Sequence, residues 1–154
     1  MSERRLRSVT IDPASLAAVS SEAEHEREVA IFDLLEENSF SPAEAPDGPY
    51  DLALSLVDGR LAFDIGGEGF QKRHLLSMSP LRGIIKDYFL VCESYFDAIR
   101  GATHGQIEAM DMGRRGLHND GSERLRERLA GKVELDHATA RRLFTLICAL
   151  HVRG

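Results

Sequence analysis

Asp51-Leu52-Ala53-Leu54-Ser55-Leu56-Val57-Asp58-Gly59-Arg60-Leu61-Ala62-Phe63-Asp64-Ile65 carries the strongest local signal in the chain. Apolar residues alternate on both sides of Asp58-Gly59, a dipeptide suited to a two-residue hairpin turn. With that turn in place Leu56 lies opposite Leu61, Leu54 opposite Phe63 and Leu52 opposite Ile65, all on one face. Ala53, Ser55, Ala62 and Asp64 then point the other way. A β-hairpin over about residues 50–66 follows. An isolated hairpin is not stable in water, so its apolar face requires a cover of helices.

Upstream, Arg7-Ser8-Val9-Thr10-Ile11 alternates at period two and Asp12-Pro13 breaks it, which predicts a short strand. Ser21 and Glu24 have the form of a capping box and open a helix predicted over about 21–38. Ile31, Phe32, Leu34 and Leu35 are its expected buried side. Its acidic run Glu22, Glu24, Glu26 and Glu28 reads as a solvated face near the positive end of the helix dipole, in preference to a metal site. Ser41 to Pro49, with three prolines and a glycine, reads as a loop.

Downstream, Ile65-Gly66-Gly67-Glu68-Gly69 is followed by Lys72, Arg73 and His74. Bare backbone amides beside cations could cradle a phosphate, but the Walker and dinucleotide spacings are missing. An ordinary glycine turn leaving the sheet is favoured. Ser79-Pro80 starts a helix over about 80–100, with serine as the expected N-cap. Leu81, Ile84, Ile85, Tyr88, Phe89, Cys92, Tyr95, Phe96 and Ile99 recur along it at helical spacing, a stripe of core packing in which Cys92 is an inert thiol. Thr103 and Gln106 form a second capping box and open a helix over about 103–118. Asp120 or Ser122 then caps a separate helix over about 122–130, which Gly131 ends. Lys132 to Leu135 is a short strand or turn. Asp136 caps a last helix over about 137–151, with Ala140, Leu143, Phe144, Ile147 and Leu150 as its apolar stripe. Strands grouped early and helices late make an α+β fold: a small antiparallel sheet around the central hairpin, one face covered by helices, in a single domain spanning 1–154.

A chain of 154 residues with 43% hydrophobic content is long enough to bury a core without staples. Cys92 and Cys148 are isolated, which suggests neither a disulfide framework nor a cysteine-rich zinc site. The amino terminus lacks the apolar run of a secretory signal, and no later segment is long and apolar enough to span a bilayer, so a cytoplasmic protein with no membrane association is expected. The net charge of -6 conceals a split. Residues 1–71 hold 5 Lys/Arg against 15 Asp/Glu, whereas residues 72–154 hold 14 against 10. With an isoelectric point near 5.5, mutual complementarity of the two halves is favoured over nucleic-acid binding.

The polar chemistry concentrates between Thr103 and Gly121. Gly113 and Gly116 either end the helix there or are carried within it, in which case Ile107, Met110, Arg114 and Leu117 share one face. The second arrangement places an arginine on the apolar side, where it needs a carboxylate or a bound anion. Asp87, Glu93, Glu108 and Asp111 are the candidate internal partners. His118 could act as an acid or base, with Asn119 and Asp120 orienting it, although loop capping by those two is the favoured role. His104, Glu108 and Asp111 recur at i, i+4 and i+7, a spacing compatible with metal ligands but common by chance, so no metal is expected. His25, His74, His137 and His151 form no ligand motif, and no cofactor is indicated.

Arg73-His74-Leu75-Leu76-Ser77, Lys86-Asp87-Tyr88-Phe89, Gln106-Ile107-Glu108-Ala109, the run from Asp111 to Asn119 and Ala140-Arg141-Arg142-Leu143-Phe144 resemble an uncharacterised protein family of alphaproteobacteria. The likeness spans nearly the whole chain and is densest after Lys72. It implies no activity, cofactor or catalytic residue. The functional expectation therefore rests on the residues: a binding or regulatory module in which Arg114, Arg115, His118, Asn119, Arg141 and Arg142 hold an anionic small molecule or a protein partner. The alternative is an enzyme that uses His118 as acid/base with Glu108 or Asp111 as orienting group or metal ligand.

Overall fold

The computed structural model describes residues 3–15, 21–101, 103–148 and 150. In chain order they form β1 (Leu6–Ile11), a 3-10 turn at Pro13–Ser15, α1 (Ser21–Glu36), β2 (Phe40–Pro42), β3 (Tyr50–Val57), β4 (Arg60–Gly67), β5 (Phe70–Ser77), α2 (Ser79–Ile99), α3 (His104–Leu129), β6 (Val133–Leu135) and α4 (His137–Ile147). The α+β class is as expected. No helix among the described residues is long and apolar enough to cross a membrane.

The central hairpin has the predicted register: Leu52 pairs with Ile65, Leu54 with Phe63 and Leu56 with Leu61. Asp58 and Gly59 both have positive φ, 52° and 75°, which matches the turn to the right-handed twist of the strands. Beyond it the sequence reading needs correction. Gly66 and Gly67 do not leave the sheet. They end β4, and a tight turn through Glu68 and Gly69 returns the chain as β5, with Gly67 opposite Phe70. β1 joins the other edge parallel to β3, so the four-stranded sheet, in the order β1-β3-β4-β5, is mixed and not antiparallel. A parallel neighbour requires a crossover, which α1 and its flanking segments supply. A register irregularity between Leu6 and Ser8 lets both Leu6 and Val9 be buried, although strict alternation would separate them.

Part of the stretch read as a loop is also ordered by pairing. Phe40–Pro42 lies antiparallel to Val133–Leu135, so β2 and β6 make a second, two-stranded sheet. Asn38 closes the turn into it. Its side chain accepts from Leu6 N (2.7 Å) and donates to Leu6 O (3.1 Å) and Leu34 O (2.7 Å), so an amide serves β1 as a strand would.

The helices pack in sequence, α2 against α3, α3 against α4 and α4 against α1. α2 begins with Met78 as its N-cap, not Ser79. Ser79 is already helical, and its N–H donates to Ser77 Oγ at 3.3 Å. Thr103 and Gln106 do form their capping box, and Asp136 caps α4 by accepting from Thr139 N at 2.9 Å. The two helices expected over 103–118 and 122–130 are one, 26 residues long. Four glycines, Gly105, Gly113, Gly116 and Gly121, lie within it. Gly121 is required by packing, because a Cβ there would run into the ring of Phe144 on α4. Ser122, expected as a cap, instead donates to His118 O at 2.7 Å along the unbroken helix. α4 ends at Ile147, and the last residue expected in it, His151, lies outside the described residues, as do residues 16–20 just ahead of α1. Of the side expected to be buried on α1, Leu34 is buried and Ile31 partly so, while Phe32 is 64% exposed. One continuous core joins the sheet residues Leu52, Leu54, Phe63 and Ile65 to Leu81, Ile85, Leu125, Leu143, Phe144 and Ile147 from the helices.

Candidate functional site

Continuity of α3 sets the geometry of the polar residues. Asp111, Arg114 and His118 stand at i, i+3 and i+7 and so lie along one side of it. Arg114 does face inward. Its Nη2 donates to Asp111 Oδ1 at 2.8 Å and its Nη1 to Glu26 Oε1 of α1 at 3.2 Å, while the guanidinium carbon lies 4.7 Å from the centre of the Tyr95 ring. Burial opposes that charge, but the bond to Asp111 and the field of Glu26 outweigh it and raise the guanidinium further above its ordinary range. Burial also raises the Glu26 carboxyl, against the pull of Arg114. The hydrogen bond from Arg114 holds Asp111 below the usual carboxylate range. Arg115, with a side chain 69% exposed, reaches the second oxygen of Asp111 at 3.0 Å.

His118 sits one turn beyond Arg114, between aromatic rings. The centroid of Tyr88 lies 5.3 Å away and that of Phe144 5.2 Å away, the latter edge-on. Nε2 is 2.7 Å from Thr145 Oγ1, and the Thr145 hydroxyl donates to Arg141 O at 3.2 Å. With its single proton on that carbonyl, the hydroxyl accepts from Nε2–H, which leaves the buried Nδ1 as a bare acceptor with no partner among the described residues. Burial, reinforced by Arg141 and Arg114, pushes the imidazole down to about 4. It is neutral at physiological pH.

These groups border a cavity of about 570 Å³ where α1, α3 and α4 meet over Tyr88 of α2. α3 contributes Arg114, Arg115 and His118, and α4 contributes Arg141, Arg142 and Thr145. α1 contributes His25, Glu26, Val29, Ala30 and Asp33. Arg142 Nη1 donates to Glu37 O at 3.0 Å. The guanidinium of Arg141 makes no hydrogen bond or ion pair with the described residues. Five of the six expected ligand residues therefore share one cavity.

Asn119 does not. It and Asp120 are exposed within α3, so neither orients His118 nor caps a loop. Glu108 is exposed and neither it nor Asp111 lines the cavity, so the acid/base set of the enzyme reading is not assembled. His104 is exposed as well, Asp111 is engaged by two arginines, and no group of three or more potential ligands among the described residues could hold a metal ion. Cys92 is buried and pushed up to about 11 by desolvation, and burial raises Cys148 well above its ordinary value too, so neither is a poised nucleophile.

Sequence reasoning missed Glu26, Asp33, Tyr88 and Thr145. Glu26 was absorbed into the acidic run and Tyr88 into the core stripe. The available signal was that Glu26, Ala30 and Asp33 share a helix side next to the buried Leu34.

A family model described as an uncharacterised protein family, UPF0262, matches residues 3–153. Relatives under the same description include a protein of Caulobacter vibrioides (strain NA1000 / CB15N), 67% identical over 150 residues that cover 97% of this chain and 94% of that one. A protein of Phenylobacterium zucineum (strain HLK1) is 62% identical over 152 residues, 99% of this chain and 96% of the relative. A protein of Rhizobium meliloti (strain 1021) is 57% identical over 152 residues, 97% and 96% of the two chains. No solved structure matches the chain significantly.

Proposed function

The chain belongs to the uncharacterised protein family UPF0262, which brings no activity with it, and we propose from its own geometry that the cavity between α1, α3 and α4 binds a small anionic molecule. The observation that carries this reading is Arg141, an arginine with no partner among the described residues at a cavity that also gathers Arg115 and Arg142. A guanidinium presents a planar fork of donors that matches carboxylate and phosphate. Arg114 is the scaffold: pinned by Glu26 and Asp111, it ties α1 to α3 beside the cavity. His118 adds no further cation because it stays neutral, and with Thr145 and Tyr88 it completes the lining. A volume of about 570 Å³ suits a metabolite-sized ligand.

The test is calorimetric titration and thermal shift with inorganic phosphate, citrate and nucleotides. Binding to the wild type that is lost in an Arg115→Ala, Arg141→Ala double variant supports the proposal. Absence of binding to the wild type sinks it. A second reading, a protein partner, is favoured by one observation: Val29 at the cavity is 43% exposed and Phe32, the next turn of α1, is 64% exposed. It requires a partner whose capture is lost in both Phe32→Asp and Arg141→Ala variants.

A further inference from the structure

The cavity gathers unlike charges from different helices. α3 and α4 present the arginines, while α1 presents Glu26 and Asp33. Glu26 is committed to Arg114. Asp33 is different: its carboxylate forms no hydrogen bond or ion pair with any described residue, although it borders the same cavity as Arg141 and Arg142. Arg141 is likewise uncommitted. Two unpaired charges of opposite sign therefore line one space without contacting each other. Val29, Ala30 and Tyr88 add apolar surface to the same lining. A simple anion against Arg141 would meet the repulsion of Asp33, whereas a molecule with an ammonium group as well as an acid group would satisfy both charges.

Resting on the anion-binding reading above, we infer that the ligand is a small zwitterion of the amino-acid class, its acid group on Arg141 with Arg115 and its ammonium group on Asp33. Glu26, already neutralised by Arg114, adds a weaker negative field on the same side. His118 takes no charge from the ligand and leaves recognition to those charged groups.

The experiment compares pairs of compounds that differ by one ammonium group: succinate with aspartate, glutarate with glutamate, and ethyl phosphate with phosphoethanolamine. Each is titrated calorimetrically into the full chain as wild type, Asp33→Asn and Arg141→Ala. Asp33 and Arg141 are not buried, so the variants should fold, which circular dichroism checks. In at least one pair the zwitterion should bind the wild type about fivefold more tightly than its partner, the scale of an exposed ion pair. Asp33→Asn should abolish that preference by weakening the zwitterion, and Arg141→Ala should weaken both members. If anions bind through Arg141 but no pair shows the preference, or if Asp33→Asn preserves it, the zwitterion inference is overturned and the anion site stands. If no member of any pair binds, the zwitterion inference fails, and the titrations with phosphate, citrate and nucleotides decide the anion reading separately.

Discussion

Exchange of Gly121 for alanine sets two effects against each other that can be weighed within α3. In a helix interior alanine is favoured over glycine by about 1 kcal/mol, because glycine loses more backbone freedom on folding. At Gly121 the added methyl would lie 2.6 Å from Cε2 of Phe144 and nearer still to Cε1 and Cζ, and Phe144 is fully buried, so its ring has no solvent to swing into. Overpacking of this kind costs about 1–3 kcal/mol, which cancels or exceeds the gain from propensity. Gly113 and Gly116 are the internal controls. A methyl at either meets nothing within 4 Å, so each alanine variant should gain the full increment of about 1 kcal/mol. Gly121→Ala should therefore lie about 1–3 kcal/mol below the controls in urea denaturation, with a melting temperature lower by about 2–4 °C per kcal/mol for a chain of this size. If Gly121→Ala melts as high as Gly116→Ala, the close approach of α3 to α4 is wrong, and with it the seating of His118 beside Phe144.

Thr139 is fully buried and its Oγ1 accepts from Ser39 N at 2.9 Å, so Thr139→Val should leave that N–H unpaired and destabilise by about 1–3 kcal/mol, read from urea midpoints at unchanged slope. Cys92 and Cys148, buried with raised thiol pKa values, should react with a disulfide reagent only after unfolding, and labelling of the native protein at the rate of a free thiol would refute their placement. His118 has a folded-state pKa of about 4 against about 6.5 unfolded, so the unfolded chain binds its proton more tightly between those values. The stability it confers is complete above about pH 6.5 and falls as the pH drops toward 4, by up to about 3 kcal/mol. His118→Gln should flatten this slope between pH 6.5 and 5, before most carboxylates titrate, and an identical slope in the variant would contradict the burial of the ring.

The hairpin was legible because its information is local: alternation on both sides of Asp58-Gly59 fixes pairing, register and inward face together. β5 was illegible for the converse reason. Phe70–Ser77 reads Phe-Gln-Lys-Arg-His-Leu-Leu-Ser, with no strict alternation, because an edge strand with an exposed side tolerates charge, and Arg73 is stabilised only by its neighbour Asp64 at 2.6 Å. The break expected inside α3 shows another limit. Glycine at 113, 116 and 121 lowers helix propensity, and the sequence gives no sign that tertiary packing against α4 overrides it at Gly121. β2 depends wholly on β6, some ninety residues away, so no local pattern could announce it.

The candidate site was half legible, and the half that was missed explains the charge split. The arginines stood out because they cluster with glycines in a chain that is otherwise acidic. Their counterparts did not, because each lies in a different element: Glu26 in a run of glutamates that looked uniformly solvated, Tyr88 in a stripe that looked uniformly buried. Folding separates the members of each run. Glu26 turns toward α3 while Glu24 and Glu28 remain exposed, and Tyr88, buried in the core with Leu81 and Ile85, also reaches His118 and the cavity. The acidic first half and basic second half thus meet at α1 against α3, through Glu26 and Arg114. That pair accounts for one charge from each side. Asp33 and Arg141, which also border the cavity, carry one more charge from each half and have no ion-pair partner among the described residues. Asp64 and Arg73 form a second pair between the halves, on the sheet, so the halves complement each other at more than one place while Asp33 and Arg141 stand outside those pairs.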